Sequence, residues 1–390
     1  MRIDIQLILL ITLCTVSTAT AQRRINKPAL DSLVTACGES HSANYALWVD
    51  GKEILSHTQT KIDTPLPCHS ILKSISSLAV GKLIEDGLID SIDTPVYTFY
   101  PEWKQGYKKY ITVRHLLNHT SGIESQESTM SDWEDARDIV QVALCTDLVS
   151  LPGDYFNYNN KASILLLGLI GRASGVEPNK YIEQKIFAPL GITNFEWDFD
   201  DAKNVRGLST TSSELVKIGQ LVLDKGVWKG ERIVSEEWLD QSLKPAQPYV
   251  LNCGLLWWII PERTEYIVDD TFIEELKGAD IPQELIDKFE LLRGRYTEVN
   301  ISNDKLEEVF GKNWEAFLQE EFYPYFPARS RREYSSEVIG YKAEGWLGQY
   351  IVIYPEKHIV AARMVENSET YRSGTDEMRD FEKYVYNVVQ

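Results

Sequence analysis

Ser70-Ile-Leu-Lys-Ser-Ile-Ser-Ser-Leu-Ala-Val-Gly-Lys-Leu-Ile-Glu85 places apolar side chains at Ile71, Leu72, Ile75, Leu78, Ala79, Leu83 and Ile84. That three-to-four spacing predicts a helix over residues 70–86. Ser70 opens it and Lys73 follows three positions on, so both lie on one helix face. A serine at a helix start also meets free backbone N–H groups and the positive end of the helix dipole. A serine hydroxyl is a weak nucleophile until a neighbouring base takes its proton. Lysine can be that base when burial or nearby positive charge disfavours its charged form. Ser70 is therefore a candidate nucleophile and Lys73 its candidate base. Ser302-Asn-Asp-Lys305 has the same spacing, but there Ser302 or Asn303 reads as the cap of a helix beginning near Leu306.

Outward from this helix, residues 27–36 read as a short helix. Tyr45 to Leu55 reads as a hairpin, because Asp50-Gly51 suits a tight primed turn. Residues 112–245 are mainly helical in pattern, broken by Gly and Pro. Strand character returns at Leu255–Ile260, Tyr350–Tyr354 and His358–Val365, and a helix is expected over 376–389. Strands at both chain ends with helices between them predict an α+β fold, an antiparallel sheet closed by the termini and flanked by helices. Residues 261–338 are rich in Asp and Glu, with helical pieces at 282–292 and 303–320. They read as an acidic helical insertion that divides a main domain of residues 22–260 and 339–390, and as a shaper or lid of its pocket.

Further elements follow in order: Thr112-Val-Arg-His-Leu-Leu-Asn-His-Thr-Ser-Gly122, then Pro152-Gly-Asp-Tyr-Phe-Asn-Tyr158-Asn-Asn160, then Gly207-Leu-Ser-Thr-Thr-Ser212 and Gly345-Trp-Leu-Gly-Gln-Tyr350. Together with Ser70-x-x-Lys73 they resemble the serine β-lactamase-related superfamily, which includes class C β-lactamases, D-aminopeptidases, esterases and 6-aminohexanoate-dimer hydrolases. The resemblance covers residues 27–259 and 339–389. It implies a β-lactamase/penicillin-binding transpeptidase-like fold and an acylated Ser70 with Lys73 as partner. It also implies that Tyr158 exchanges protons with Ser70 and the leaving group, and that Asn160 orients substrate and lysine. The oxyanion hole it implies is the Ser70 N–H plus a backbone N–H near Ala343. One departure stands out. The Lys-Thr-Gly or His-x-Gly of penicillin-binding members is absent from Gly340-Tyr-Lys-Ala-Glu344, and Lys342 is out of register. A basic residue there normally helps hold a substrate carboxylate, so the pattern leans toward esterases and amidases.

Other chemistry is poorly supported by the sequence. His115 and His119 stand four apart, but no third ligand accompanies them, so a structural role is expected and no metal. There is no Gly-x-Ser-x-Gly elbow, and no cofactor is expected. The net charge of -18, without a basic tract, argues against nucleic acid as a partner. Arg2, the apolar run Leu7 to Val16 and Ala19-Thr20-Ala21 read as an export signal over residues 1–21, predicting a periplasmic or secreted protein with no membrane span after cleavage. Cys37, Cys68, Cys145 and Cys253 then remain, as disulfides in one of three pairings or as free thiols. The expected function is an exported serine hydrolase that cleaves an ester or amide bond of a small-molecule or peptide-like substrate through an acyl-Ser70 intermediate. Alternatives are a β-lactamase or D,D-/D-amino-acid peptidase acting on cell-wall-type substrates, and a non-turnover penicillin- or peptide-binding sensor.

Overall fold

The protein is described here by a computed structural model covering residues 23–59, 64–125, 136–279, 281–297, 299–322, 330–335 and 337–390. The export segment read over residues 1–21 lies outside the described residues.

Asp50 and Gly51 both take left-handed backbone angles, φ 52° and 70°, the primed geometry that joins Ser42–Val49 to Lys52–Thr58 without splaying them. These two strands form one edge of a six-stranded antiparallel sheet. Its order continues through Ile359–Val365, Gln349–Tyr354 and Val338–Gly345 to Trp258–Pro261. The two central strands, Gln349–Tyr354 and Ile359–Val365, are buried along their whole length because both sheet faces are covered. On one face lie helices Lys27–Glu39 and Phe381–Tyr386, packed through Leu33, Tyr350, Val352, Phe381 and Val385. On the other lie Ile71–Glu85 and Ser212–Leu223, packed through Ile75, Leu78, Ile218, Ile351 and Val360. The second of these helices reaches the sheet through Gly219. A Cβ there would stand 2.4 Å from Val360 Cγ1, closer than any side chain tolerates.

Several local expectations change. The C-terminal helix spans Phe381–Tyr386 rather than 376–389. Upstream of it the buried Asp376 accepts from the Arg372 backbone N–H at 2.8 Å and contacts His41 Nδ1 at 3.0 Å, and Met378 is left-handed. Those bonds hold the segment in turns. A separate sheet of Leu66–Pro67, Val205–Thr210 and Phe195–Phe199 lies within sequence read as helical or loop. Its strands are too short to carry a clear period.

The insertion is not wholly helical. It carries helices Asp270–Gly278, Gln283–Glu290, Val299–Phe310 and Trp314–Glu321, and also a three-stranded sheet of Gly294–Tyr296, Thr264–Val268 and Arg331–Tyr334. Backbone ladders join Thr264–Val268 to both neighbours, and charged side chains reach across one face: Arg295–Glu265 at 2.6 Å and Arg295–Glu333 at 3.1 Å. Strands so rich in charge give no apolar alternation to read. The insertion has its own core around Phe272, Phe289, Leu318 and Phe322. It joins Trp258–Pro261 to Val338–Gly345, which are neighbours in the main sheet. Ser302 lies inside Val299–Phe310 rather than capping a helix that starts at Leu306. The four cysteines are free thiols. Cys37, Cys68 and Cys253 are buried, and burial pushes their thiol pKa values up to about 11, 12 and 12. No helix of the described residues is long and apolar enough to cross a membrane.

Arg363 is fully buried in the central strand. It donates to Ser42 Oγ at 2.6 Å, Ser40 O at 3.0 Å, Gly348 O at 2.6 Å and Asp376 O at 2.6 Å. Replacing it by Met would keep the length and remove the donors, leaving three buried carbonyls unsatisfied. Arg363→Met is expected to cost about 3–5 kcal/mol of stability, measured by urea denaturation.

Candidate active site

Ser70 occupies the N-cap of Ile71–Glu85, yet its hydroxyl makes no capping bond. The caps Asn159 and Asp138 do: each accepts a backbone N–H at 3.0 Å. The Ser70 hydroxyl is instead hydrogen-bonded to Lys73 Nζ at 2.9 Å. His69, immediately before it, is left-handed with φ 48°, a conformation that costs a non-glycine residue energy and recurs at functional sites. No carboxylate among the described residues pairs with Lys73. Its amine lies 4.9 Å from the centre of the Tyr158 ring.

Tyr158 stands just before the helix Asn160–Ser174 and is 37% exposed. Its position is fixed from both sides by His119. The Asn157 N–H donates to the His119 carbonyl at 2.7 Å, and the Asn159 N–H to His119 Nδ1 at 3.2 Å. Asn159 Nδ2 also donates to Ile123 O at 2.8 Å, tying the two loops together. The His119 and Tyr158 rings are 4.5 Å apart. His119 is buried, and burial, reinforced by the Lys73 charge, lowers its pKa to about 3. Its ring is neutral at physiological pH, with Nδ1 accepting and the proton on Nε2. Asn160 is the first residue of its helix and half-buried.

Trp258 stacks on the outer side of Tyr158, at 6.3 Å and 14°. It is carried there by segment 253–258, where Leu256 O accepts from Ser74 Oγ on the helix that follows Ser70 at 2.6 Å. Ser70, Lys73, His119, Tyr158, Trp258 and Glu344 line one small pocket.

The remaining wall is the end of strand Val338–Gly345. Gly345 presses against the loop before Ser70: a Cβ there would lie 2.4 Å from Cys68 O. Trp346 follows and meets the His69 ring edge-on at 5.4 Å. The ladder to Trp258–Pro261 stops at Lys342, so the outer backbone edge beyond it is open. Strand residues point their N–H groups alternately to the two edges. The Gly345 carbonyl accepts from Gly348 in the turn, on the inner side, so Ala343, two residues earlier, also faces inward toward its partner Ile351. Ala343 is fully buried, and the open edge belongs to its neighbour Glu344. The Ala343 N–H, expected as an oxyanion donor, therefore faces its partner strand rather than the open edge.

Lys342 does not reach toward Ser70. It bridges Glu344 at 3.1 Å and Glu382 at 2.9 Å. Burial disfavours its charge, but Glu382 and Glu344 outweigh that and hold it protonated. His115 has a local role, with Nδ1 accepting the Thr112 N–H at 3.1 Å in a capping box, and no metal-binding cluster occurs among the described residues. The structure thus brings Ser70, Lys73 and Tyr158 together. It adds His119, Trp258 and Glu344, which sequence reasoning did not assign. The His119-Thr-Ser-Gly122 run was the available signal for the first; the other two converge only by strand pairing.

A family model described as Beta-lactamase matches residues 30–245, more than half of the chain. Penicillin-binding protein 4* of Bacillus subtilis is 28% identical over 187 residues, 42% of this chain and 40% of that protein. The 6-aminohexanoate-dimer hydrolase of Paenarthrobacter ureafaciens is 26% identical over 196 residues, 45% of this chain and 49% of that protein. Beta-lactamase-like protein 2 of Dictyostelium discoideum is 29% identical over 153 residues, 37% of this chain and 28% of that protein. The matches thus span from about a quarter to half of these relatives' lengths. Among solved structures, a class C beta-lactamase in complex with cefoxitin superposes with a TM-score of 0.58 at 15% identity, covering 93% of this chain and 97% of its own. The penicillin binding protein of Bacillus halodurans does so at 0.59 and 16%, covering 90% and 98%. These similarities fix the fold as β-lactamase-like, and the chain belongs to the Beta-lactamase family of serine hydrolases.

Proposed function

We propose that the chain is an exported hydrolase that cleaves an ester or amide bond through an acyl-Ser70 intermediate. The 2.9 Å contact between Lys73 Nζ and the uncapped Ser70 hydroxyl carries this reading. Lys73 takes the Ser70 proton as Oγ attacks the substrate carbonyl carbon. The oxyanion is held by the Ser70 N–H and the outward N–H at Glu344. Tyr158, beside the Lys73 amine, hands a proton to the departing alcohol or amine. Water then attacks the acyl carbon by the same path in reverse, releasing the acid and restoring Ser70. Asn160 orients substrate beside this group. Export rests on the sequence of residues 1–21.

Glu344 lies in the stretch before Gly345 where the resemblance implies Lys-Thr-Gly or His-x-Gly, and it lines the pocket with Ser70. A carboxylate held next to the scissile bond would face like charge. This supports simple esters and amides over penicillins as substrates.

A fluorophosphonate probe followed by mass spectrometry is expected to label Ser70, and 4-nitrophenyl esters to turn over faster than nitrocefin. Absence of label on folded protein would sink the acyl-enzyme reading. Ser70→Ala and Lys73→Ala are each expected to lower kcat/KM by about a thousandfold or more, with melting temperature nearly unchanged. A Lys73→Ala protein of full activity would remove Lys73 from the role of base.

His119 also makes stability depend on pH. It stays neutral when folded down to about pH 3, whereas an unfolded histidine binds a proton below about 6.5. Unfolding in that window takes up one extra proton, so this contribution is present above pH 6.5 and is lost as pH falls toward 3. Denaturant titrations at pH 7 to 4 should show a slope smaller by one proton in His119→Asn than in the unaltered protein.

A further inference from the structure

A second cavity opens on the far side of Trp258. It shares Trp258 and Glu344 with the pocket at Ser70, so the two adjoin at those side chains and together make a trough divided by Trp258. Its outer wall comes from the insertion: Tyr266 on Thr264–Val268, and Arg332 and Tyr334 on Arg331–Tyr334. Two cations line it, Lys342 and Arg332, while Arg331 and Arg295 of the same small sheet lie outside its lining. Lys342 on its floor is committed to Glu344 and Glu382. Arg331 is paired with Asp269 and Arg295 with Glu265 and Glu333. Arg332 lies over the Tyr266 ring, 5.8 Å from its centre. Its side chain also meets the Tyr334 hydroxyl, and among the described residues no carboxylate pairs with it.

From this arrangement we propose that the cavity is a distal substrate subsite. It takes an arm of the ester or amide that lies along Trp258 and Tyr266 and ends in a carboxylate bound by Arg332. The aromatic faces bury the apolar stem of such an arm. The guanidinium offers a planar pair of donors that matches a carboxylate. The trough also sets an order along the substrate: Glu344 disfavours an anion near the scissile bond, and Arg332 accepts one beyond it. The insertion thereby selects extended, carboxylate-ended substrates. The proposal rests on Ser70 being the acylated residue.

The test compares matched esters. Mono-4-nitrophenyl glutarate against 4-nitrophenyl butyrate places the carboxylate on the acyl arm; 4-acetoxybenzoate against phenyl acetate places it on the leaving arm. In one of the two pairs the carboxylated ester should have the higher kcat/KM, and Arg332→Gln should lower that ratio by about tenfold. Titration calorimetry of the favoured ester into Ser70→Ala, with and without Arg332→Gln, reads the subsite without turnover and should show weaker binding by a similar factor. Ratios and binding that ignore Arg332→Gln would overturn the subsite while Ser70 labelling stands. Failure to label Ser70, with binding that still depends on Arg332, would instead remove the acyl-enzyme reading and keep the subsite.

Discussion

The buried guanidinium of Arg363 joins parts of the chain that are far apart in sequence. Its donors go to Ser40 and Ser42 near the start, to Gly348 in the turn beside Ser70, and to Asp376 before the last helix. A buried cation is tolerable only when its donors are satisfied, so these four segments have little freedom to rearrange independently. The sheet closes across the two chain ends because of this, with Ser42–Val49 paired to Ile359–Val365. The turn after Gly345 is held against the loop that delivers Ser70.

That placement makes the site an assembly of three separately anchored pieces. The helix from Ile71 carries Ser70 and Lys73 and is pinned to segment 253–258 by Ser74 and Leu256. The Tyr158 loop is bracketed by His119. The strand end at Gly345 approaches Cys68 so closely that only glycine fits. Each anchor is a hydrogen bond or a steric contact outside the reacting atoms. Such support keeps a short Ser–Lys contact in place in a site partly open to water. His119, neutral because it is buried, contributes position rather than charge.

Glu344 belongs to two environments. Its side chain takes part in the Lys342 cluster and lines the Ser70 pocket, and its backbone N–H faces the open edge. One position therefore presents both a carboxylate and a backbone N–H beside Ser70. The insertion extends the same trough with aromatic and basic side chains, while keeping a core of its own.

Local spacing in the sequence determined what depends on neighbours in the chain. Ser70 and Lys73 share a helix face because helical geometry brings i and i+3 together, and Asp50-Gly51 makes its turn because left-handed angles suit those residues. The ordered motifs around Tyr158 and Gly345 pointed to the fold class. Tertiary structure alone decided what depends on pairing between distant segments. Strand alternation moved the open N–H edge from Ala343 to Glu344. The charged strands of the insertion became visible as a sheet only through their backbone pairing. His119, Trp258 and Arg332 come from three separate segments and meet around the trough only when the sheet, the helices and the insertion are packed. No local period encodes that meeting, because side chains far apart in sequence converge through packing and not through spacing along the chain.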